Sequence, residues 1–342
     1  MNIQAHRKDE HVIIAEKLYQ KEAANDLEYV ELLFDSLPEL SLEEIDISTT
    51  LVSRPISAPF FINAMTGGSP ETGKINRRLA RAAADNDLPF ATGSQSVALA
   101  DPSATPYFTG ARQVDPNGFI LGNLGASHGL DSALAAIDML DAQALEIHLN
   151  PAQELVMPEG DRSFYWQKNL SEIIAGLPVP VLVKEVGMGI SPKTLRKLQQ
   201  LGVSYVDLSG AGGTNFVAIE NQRRHEKEFA FLQNAGLSTA KALLAAQQFA
   251  ESFSFTASGG IRNALDIVKC LVLGADNVGI SGLFLHTLIK QGDDGLDYLI
   301  KNLKVQVAKI MLLLGCRNIT ELHQEKYLLS DQLLSFKKQL SN

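Results

Sequence analysis

Cysteine is nearly missing from this chain: Cys270 and Cys316 are the only two in 342 residues. Neither stands in a CxxC or metal-type spacing, so a disulfide-stapled or zinc-centred fold is excluded, and both read as reduced core thiols. No apolar run approaches the ~20 residues that a membrane span needs. The opening stretch MNIQAHRKDEHVIIAEKL carries charges where a secretory signal would be apolar, so a cytoplasmic protein without membrane partners is expected. Positive charge is also in short supply. Lys and Arg total 30 against 39 Asp and Glu, a formal charge of −9. That balance argues against nucleic acid as a partner. It leaves room for a small anionic ligand, because such a site needs only a few local cations and backbone N–H groups. No low-complexity tract or linker interrupts the chain, and a single domain is expected.

What is present is a repeated alternation. Short β-rich runs occur at 60–65 (FFINAM), 89–94 (PFATGS), 119–124 (FILGNL) and 144–150 (ALEIHLN). Four more follow at 181–186 (VLVKEV), 205–210 (YVDLSG), 254–260 (SFTASGG) and 277–281 (NVGIS). Amphipathic stretches such as 73–86, 191–201, 238–250 and 264–273 separate them. Strands alternating with helices make parallel βαβ units, and eight units match a closed α/β barrel. The alternative is an open doubly wound sheet, which would gather its ligand chemistry at one switch point. Here polar or glycine-rich residues end nearly every strand, which reads as a ring at the C-terminal face of a (β/α)8 TIM barrel. The barrel is expected over about 58–315. An N-terminal segment, 1–57, helical over 8–20 and turn-rich over 37–57, would cross the barrel or cap one end. Residues 316–342 would form a helical tail, and the apolar periodicity of 296–314 a packing face.

The glycines that close the last two strands suggest a phosphate site. Gly259, Gly260 and Arg262 precede one helix and Ser281 and Gly282 another, offering N–H donors, a hydroxyl and a guanidinium. The plainer reading, tight βα turns, uses the same glycines. The loop 209–216 (SGAGGTNF) suits close approach of a flat ligand, with Ser209 and Thr214 able to hydrogen-bond it. Lys184 ends an apolar strand and would set a cation against an electron-rich ring. In ALEIHLNPAQE, Glu146, His148 and Asn150 alternate onto one face and Ile147 and Leu149 onto the other. Three polar groups on the inward face of a barrel strand are costly unless used. Gln153 and Glu154 follow in the loop. The run 7–11 (RKDEH) reads by default as a solvated helix start. Folded over the barrel mouth, it would bring Arg7 and Lys8 to an anion.

Taken together, RKDEH (7–11), NAMTGG (63–68), TGSQ (92–95), LGNLG (121–125), EIHLNPAQE (146–154), VKEVG (183–187), SGAGGTNF (209–216) and SGGIRN (258–263) resemble the type 2 isopentenyl diphosphate isomerases. RKDEH and HLNPAQE are the specific matches; the glycine motifs are common to other FMN barrels. The resemblance implies interconversion of isopentenyl and dimethylallyl diphosphate without net redox change. It implies reduced FMN and Mg2+ as cofactors, NADPH as reductant, and a homo-oligomer of four or more subunits. By the same resemblance Ala64, Met65, Thr66, Ser94, Asn123, Lys184, Ser209 and Thr214 line the flavin, and Gly259, Gly260, Arg262, Ser281 and Gly282 hold its phosphate. Arg7 and Lys8 grip the substrate diphosphate, with His11, His148 and Asn150 nearby, Gln153 on the substrate and Glu154 on Mg2+. Gln153, Lys184 and His148 are the catalytic candidates. Ser96 stands where members often carry arginine, and Asn234-Ala235 stand where a tryptophan commonly precedes the next glycine. A flavin oxidoreductase shuttling hydride is the rival enzyme; a phosphate sensor on a degenerate barrel is the non-catalytic one.

Overall fold

The computed structural model describes residues 3–340. Eight parallel strands close a barrel in chain order: β1 Phe60–Ile62, β2 Phe90–Ala91, β3 Ile120–Gly125, β4 Ala144–His148, β5 Val181–Lys184, β6 Tyr205–Asp207, β7 Ser254–Ser258 and β8 Asn277–Ile280. Each falls in one of the eight runs expected from sequence, the third extending one residue beyond its run to Gly125. The barrel closes where Phe61 of β1 pairs with Gly279 of β8. The intervening helices begin where serine or asparagine can cap them. Ser69, Ser191, Ser238 and Asn263 each accept a hydrogen bond from a first-turn N–H, satisfying a donor the helix itself cannot.

The interior is layered. Phe61, Ala91, Leu121, Ala144 and Leu182 form an apolar floor. The antiparallel hairpin Thr49–Leu51 and Arg54–Ile56 plugs it from the N-terminal side, inserting Leu51, Val52 and Ile56. Its turn carries Val52 at φ 45° and Ser53 at φ 65°, a left-handed geometry unfavourable for a β-branched residue. Burial of the valine side chain offsets that strain. Above the floor the barrel turns polar, with Asn123, Glu146, Lys184 and Asp207 all buried, while the buried Asn277 donates to the Thr50 carbonyl of the plug and accepts from Thr256.

The N-terminal segment reaches both ends of the barrel. Its hairpin seals the bottom, and the helix Ile3–Leu18 lies at the opposite mouth. The helix starts five residues before, and ends two residues short of, the expected 8–20. Beyond β8, the helical stretch Gly282–Leu313 is broken at Gly292 (φ 76°, ψ −168°). Its second half buries Leu296, Ile300, Leu303, Val307 and Met311, the expected packing face. The tail is not all helix: Tyr327–Leu329 pairs antiparallel with Val30–Leu32 before the helix Asp331–Leu340. That pairing joins residues ~300 positions apart and leaves no local signal in the tail. Cys270 and Cys316 are buried and free. No helix among the described residues is long and apolar enough to cross a membrane.

Candidate active site

One cavity of about 240 Å³ opens at the C-terminal mouth, and every residue that the family resemblance implicated lines it, from Arg7 and Lys8 to Ser281 and Gly282, whereas Glu146 is buried beneath it. At one side stand the loops after β7 and β8. Gly259 (φ 108°) and Gly260 (φ 73°) need their missing side chains for packing first. A Cβ on Gly259 would fall 1.9 Å from the Gly210 carbonyl oxygen, and one on Gly213 would fall 2.5 Å from the Gly260 nitrogen. These contacts account for the two glycines by packing alone, which is the plain reading. Gly282 differs: a Cβ there would meet only Thr214 Oγ1, at 3.5 Å, so space remains before the first turn of its helix. The N–H groups of that turn have no carbonyl of their own helix to bond, which suits a phosphate. Arg262 lines the same corner, its guanidinium 4.7 Å over the Tyr19 ring and its Nε donating to the Gln20 carbonyl at 3.1 Å. The arginine thus ties the loop after β7 to the N-terminal segment.

The floor of the cavity is a buried web centred on Asp207. Its carboxylate accepts from Asn63 Nδ2 (2.8 Å), Ser258 Oγ (2.6 Å) and the Ser209 backbone N–H (3.0 Å), with Lys184 Nζ 3.9 Å away. Lys184 also donates to the Glu185 carbonyl (2.8 Å) and Ser209 Oγ (3.4 Å), so its ammonium is fixed at the cavity wall. Ser209 sits at φ 42°, a geometry that its bond to Asp207 holds in place. Thr66 Oγ1 is buried with no hydrogen-bond partner among the described residues. Such an orphan costs about 1–3 kcal/mol, and a flavin bearing carbonyl and N–H groups would satisfy it.

On the facing wall β4 delivers Glu146 and His148, and Asn150 caps the short helix Pro151–Val156 that carries Gln153 and Glu154. Asn150 Nδ2 donates to Glu154 Oε1 (2.9 Å), and Glu154 Oε2 accepts from the Asp161 N–H (2.8 Å). No group of three or more metal-ligating side chains exists among the described residues. A cation held here would have Glu154 as one carboxylate ligand and would take the rest from an anionic ligand and water.

The lid is the N-terminal helix. Arg7, Lys8, His11, Val12 and Ala15 face the cavity. Burial first, then the Arg7 charge, lowers the Lys8 ammonium to about 8. The helix is held by Glu220, a residue sequence reasoning missed. Fully buried, Glu220 places Oε1 2.8 Å from His11 Nε2 and 3.1 Å from Gln153 Nε2, and Oε2 2.6 Å from Arg223. Burial pushes its carboxyl up, but the bonds from His11, Arg223 and Gln153 outweigh this and hold it at about 2. Arg223 in turn reaches Glu10 (3.1 Å) and Glu159 (2.9 Å). At the helix's other end Glu16 lies 3.0 Å from His286 and 3.1 Å from Lys290. His128, Trp166 and Phe216 also line the cavity without having been picked out from sequence. Ser96 is on the wall, with Ser94 Oγ donating to it at 3.2 Å, whereas Asn234 and Ala235 are not.

The profile of the FMN-dependent dehydrogenase family matches residues 144–329, more than half of the chain. Among solved structures, a flavocytochrome b2 variant with pyruvate bound superposes with a TM-score of 0.71 at 19% identity, covering 96% of this chain and 84% of that one. A mandelate oxidase variant gives 0.64 at 17%, covering 94% and 92%. Those likenesses establish the shared flavin-barrel fold. Sequence relatives are much nearer. The isopentenyl-diphosphate delta-isomerase of Latilactobacillus sakei is 50% identical over 97% of this chain and 95% of its own length. That of Lacticaseibacillus casei is 48% identical over 98% and 96%, and that of Listeria monocytogenes 45% over 96% and 92%. With the motif-bearing residues gathered in one cavity on this barrel, the chain belongs to the isopentenyl-diphosphate delta-isomerase family, built on the fold of the FMN-dependent dehydrogenases.

Proposed function

We propose that this protein interconverts isopentenyl and dimethylallyl diphosphate, using FMN in its reduced form and Mg2+ on the diphosphate, with NADPH as the reductant that keeps the flavin active. The observation that carries this reading is the cavity's two-sided make-up. A cationic, helix-borne lid with Arg7 and Lys8 faces a barrel mouth built for a flavin, and Glu154 stands among the residues that close it. A hydroxy-acid oxidoreductase would have no task for that lid.

When bound, reduced FMN would supply the acid/base group that an apolar alkene pocket otherwise lacks. The chain's own residues bind, orient and exclude water. Arg7 and Lys8 take the diphosphate charge, helped by His11, and Glu154 holds the cation that neutralises the remainder. Val12, Trp166, Phe216 and Leu285 offer the hydrocarbon tail an apolar wall. Gln153 is aimed by two bonds, to Glu220 Oε1 and from Asn150 Nδ2, the latter at 3.3 Å. An amide is a poor acid, so Gln153 positions the substrate and holds no proton for transfer. Lys184 sets a fixed positive charge where an electron-rich ring would lie. His148 belongs to the same wall.

The enzyme is proposed to work in the cytoplasm as a homo-oligomer of four or more subunits. The deciding experiment is anaerobic incubation with isopentenyl diphosphate, Mg2+ and chemically reduced FMN. Dimethylallyl diphosphate should accumulate over many turnovers with no net loss of reductant. Stoichiometric consumption of reductant would replace the isomerase with a hydride-transfer enzyme.

A further inference from the structure

The inward face of β4 holds a linkage that the reaction above does not use. Glu146 is fully buried, and its Oε2 accepts a 2.7 Å hydrogen bond from Asn123 Nδ2. The Asn123 amide therefore turns its Oδ1 the other way, where it lies 2.9 Å from His148 Nδ1. Strand register sets this up, pairing Asn123 with Glu146 and Gly125 with His148. The Asn123 backbone is also pinned, its N–H donating to Gln95 Oε1 at 3.0 Å.

Chemistry then fixes a proton. An amide oxygen only accepts, so the hydrogen in the contact with His148 must sit on Nδ1. His148 is also held neutral: burial, then the charges of Lys184, Lys8 and His128, lower it to about 3. A neutral imidazole with its hydrogen on Nδ1 has a bare lone pair on Nε2. Among the described residues Nε2 has no hydrogen-bond partner, and the ring lines the cavity.

We propose that Glu146 is a positioning residue. Through Asn123 it holds His148 in the Nδ1–H tautomer, so that Nε2 meets the bound ligand as a hydrogen-bond acceptor. The group it takes is an N–H or O–H donor. A fully ionised diphosphate offers only acceptor oxygens, so His148 engages either a protonated phosphoryl oxygen or an N–H or hydroxyl of the flavin nucleotide. The identity of those ligands rests on the isomerase reading; the tautomer is a property of the protein alone. Charged neighbours do not choose the nitrogen. Lys184 on β5 and Asp207 on β6 act on Glu146, and Lys184 again, Lys8 on the lid and His128 after β3 act on His148. They set charge, whereas the amide sets direction. The competing arrangement needs Glu146 protonated and donating to Asn123 Oδ1, which would turn the amide and move the ring hydrogen to Nε2. Burial raises this carboxyl to about 7, so the ionised arrangement is examined at pH 8.

The test is 15N NMR of full-length protein labelled in histidine, with His148→Gln identifying the His148 signal among the seven histidines. At pH 8 the wild type should show Nε2 unprotonated and Nδ1 protonated, in a preference of roughly tenfold as expected of one well-placed buried hydrogen bond. Glu146→Gln keeps an acceptor for Asn123 and should retain that tautomer. Glu146→Leu frees the amide, and the Nε2–H form should rise to at least comparable population. A wild type with Nε2 protonated overturns the proposal, and so does a Leu variant indistinguishable from wild type. Should the Leu variant not fold, the wild-type spectrum still decides. Adding FMN alone, then isopentenyl diphosphate with Mg2+ alone, shows which supplies the donor by which one moves the Nε2 resonance; if neither moves it, the ligand-facing half of the proposal falls. Failed isomerase turnover would leave the tautomer result untouched.

Discussion

At the scale of single residues, the site works by putting charges where solvent cannot dilute them. Lys8 is the clearest case. Its ammonium is lowered to about 8, so the free protein loses this cation as pH rises through that value. The outer ionisation of an organic diphosphate lies near 6, so the ligand's own charge is constant above pH 7. Affinity for isopentenyl diphosphate, measured with oxidised FMN to prevent turnover, should therefore fall through about pH 8. Lys8→Arg should abolish the inflection, because a guanidinium stays charged throughout. An unchanged pH profile in the arginine variant would remove Lys8 from the diphosphate site. Glu154 makes a different prediction. Glu154→Gln keeps the bond geometry to Asn150 but removes the anion that would hold Mg2+. Activity at saturating substrate should drop at least tenfold, with FMN affinity, read by flavin fluorescence, changed less than about twofold. Equal loss of both would sink the assignment.

At the scale of elements, two parts of the N-terminal segment carry opposite ends of the molecule. The hairpin Thr49–Leu51 and Arg54–Ile56 is a stopper whose Leu51 is fully buried against the barrel floor. Leu51→Ala should cost about 2–5 kcal/mol of unfolding free energy, as for other buried leucines. Denaturant unfolding checks it, and a loss under about 1 kcal/mol would mean that the floor closes without its plug. The barrel strands were readable from sequence because each joins a β-rich run to a polar or glycine-rich end, as in 144–150 and 254–260. The strand-four face was readable because alternation alone sends Glu146 and His148 inward. The stopper and the strand Tyr327–Leu329 were not, since both lie outside the repeated strand-helix alternation: the first is a local hairpin buried only by its docking under the barrel, and the second pairs with the distant Val30–Leu32. Glu220 was hidden for a related reason. It lies on the helix Phe216–Arg223, where a glutamate next to Asn221 and Arg223 reads as a solvated face. Its burial comes from tertiary contacts, with His11 of the lid, Gln153 and Arg223 all on its carboxylate.

At the scale of the whole molecule, the barrel mouth is spanned by a helix that contributes cations to the cavity but hangs from acidic residues. Glu10 and Glu220 meet Arg223 at one end, and Glu16 meets His286 and Lys290 at the other. Glu10 is about a third exposed and Lys290 more than half, so these outer contacts are screened by salt while the buried Glu220 pair is not. Ligand exchange past the seated helix is expected to require that at least one end come loose, because Arg7, Lys8, His11, Val12 and Ala15 of that helix line the cavity. Residence time at the site is thereby tied to the strength of surface ion pairs remote from the chemistry. Raising ionic strength from about 50 to 500 mM, across which the screening length falls severalfold toward ~4 Å, should speed product escape in stopped flow. Arg223→Lys, which forfeits the forked grip on three carboxylates, should mimic high salt at low salt. A release rate indifferent to both would mean the helix never acts as a door.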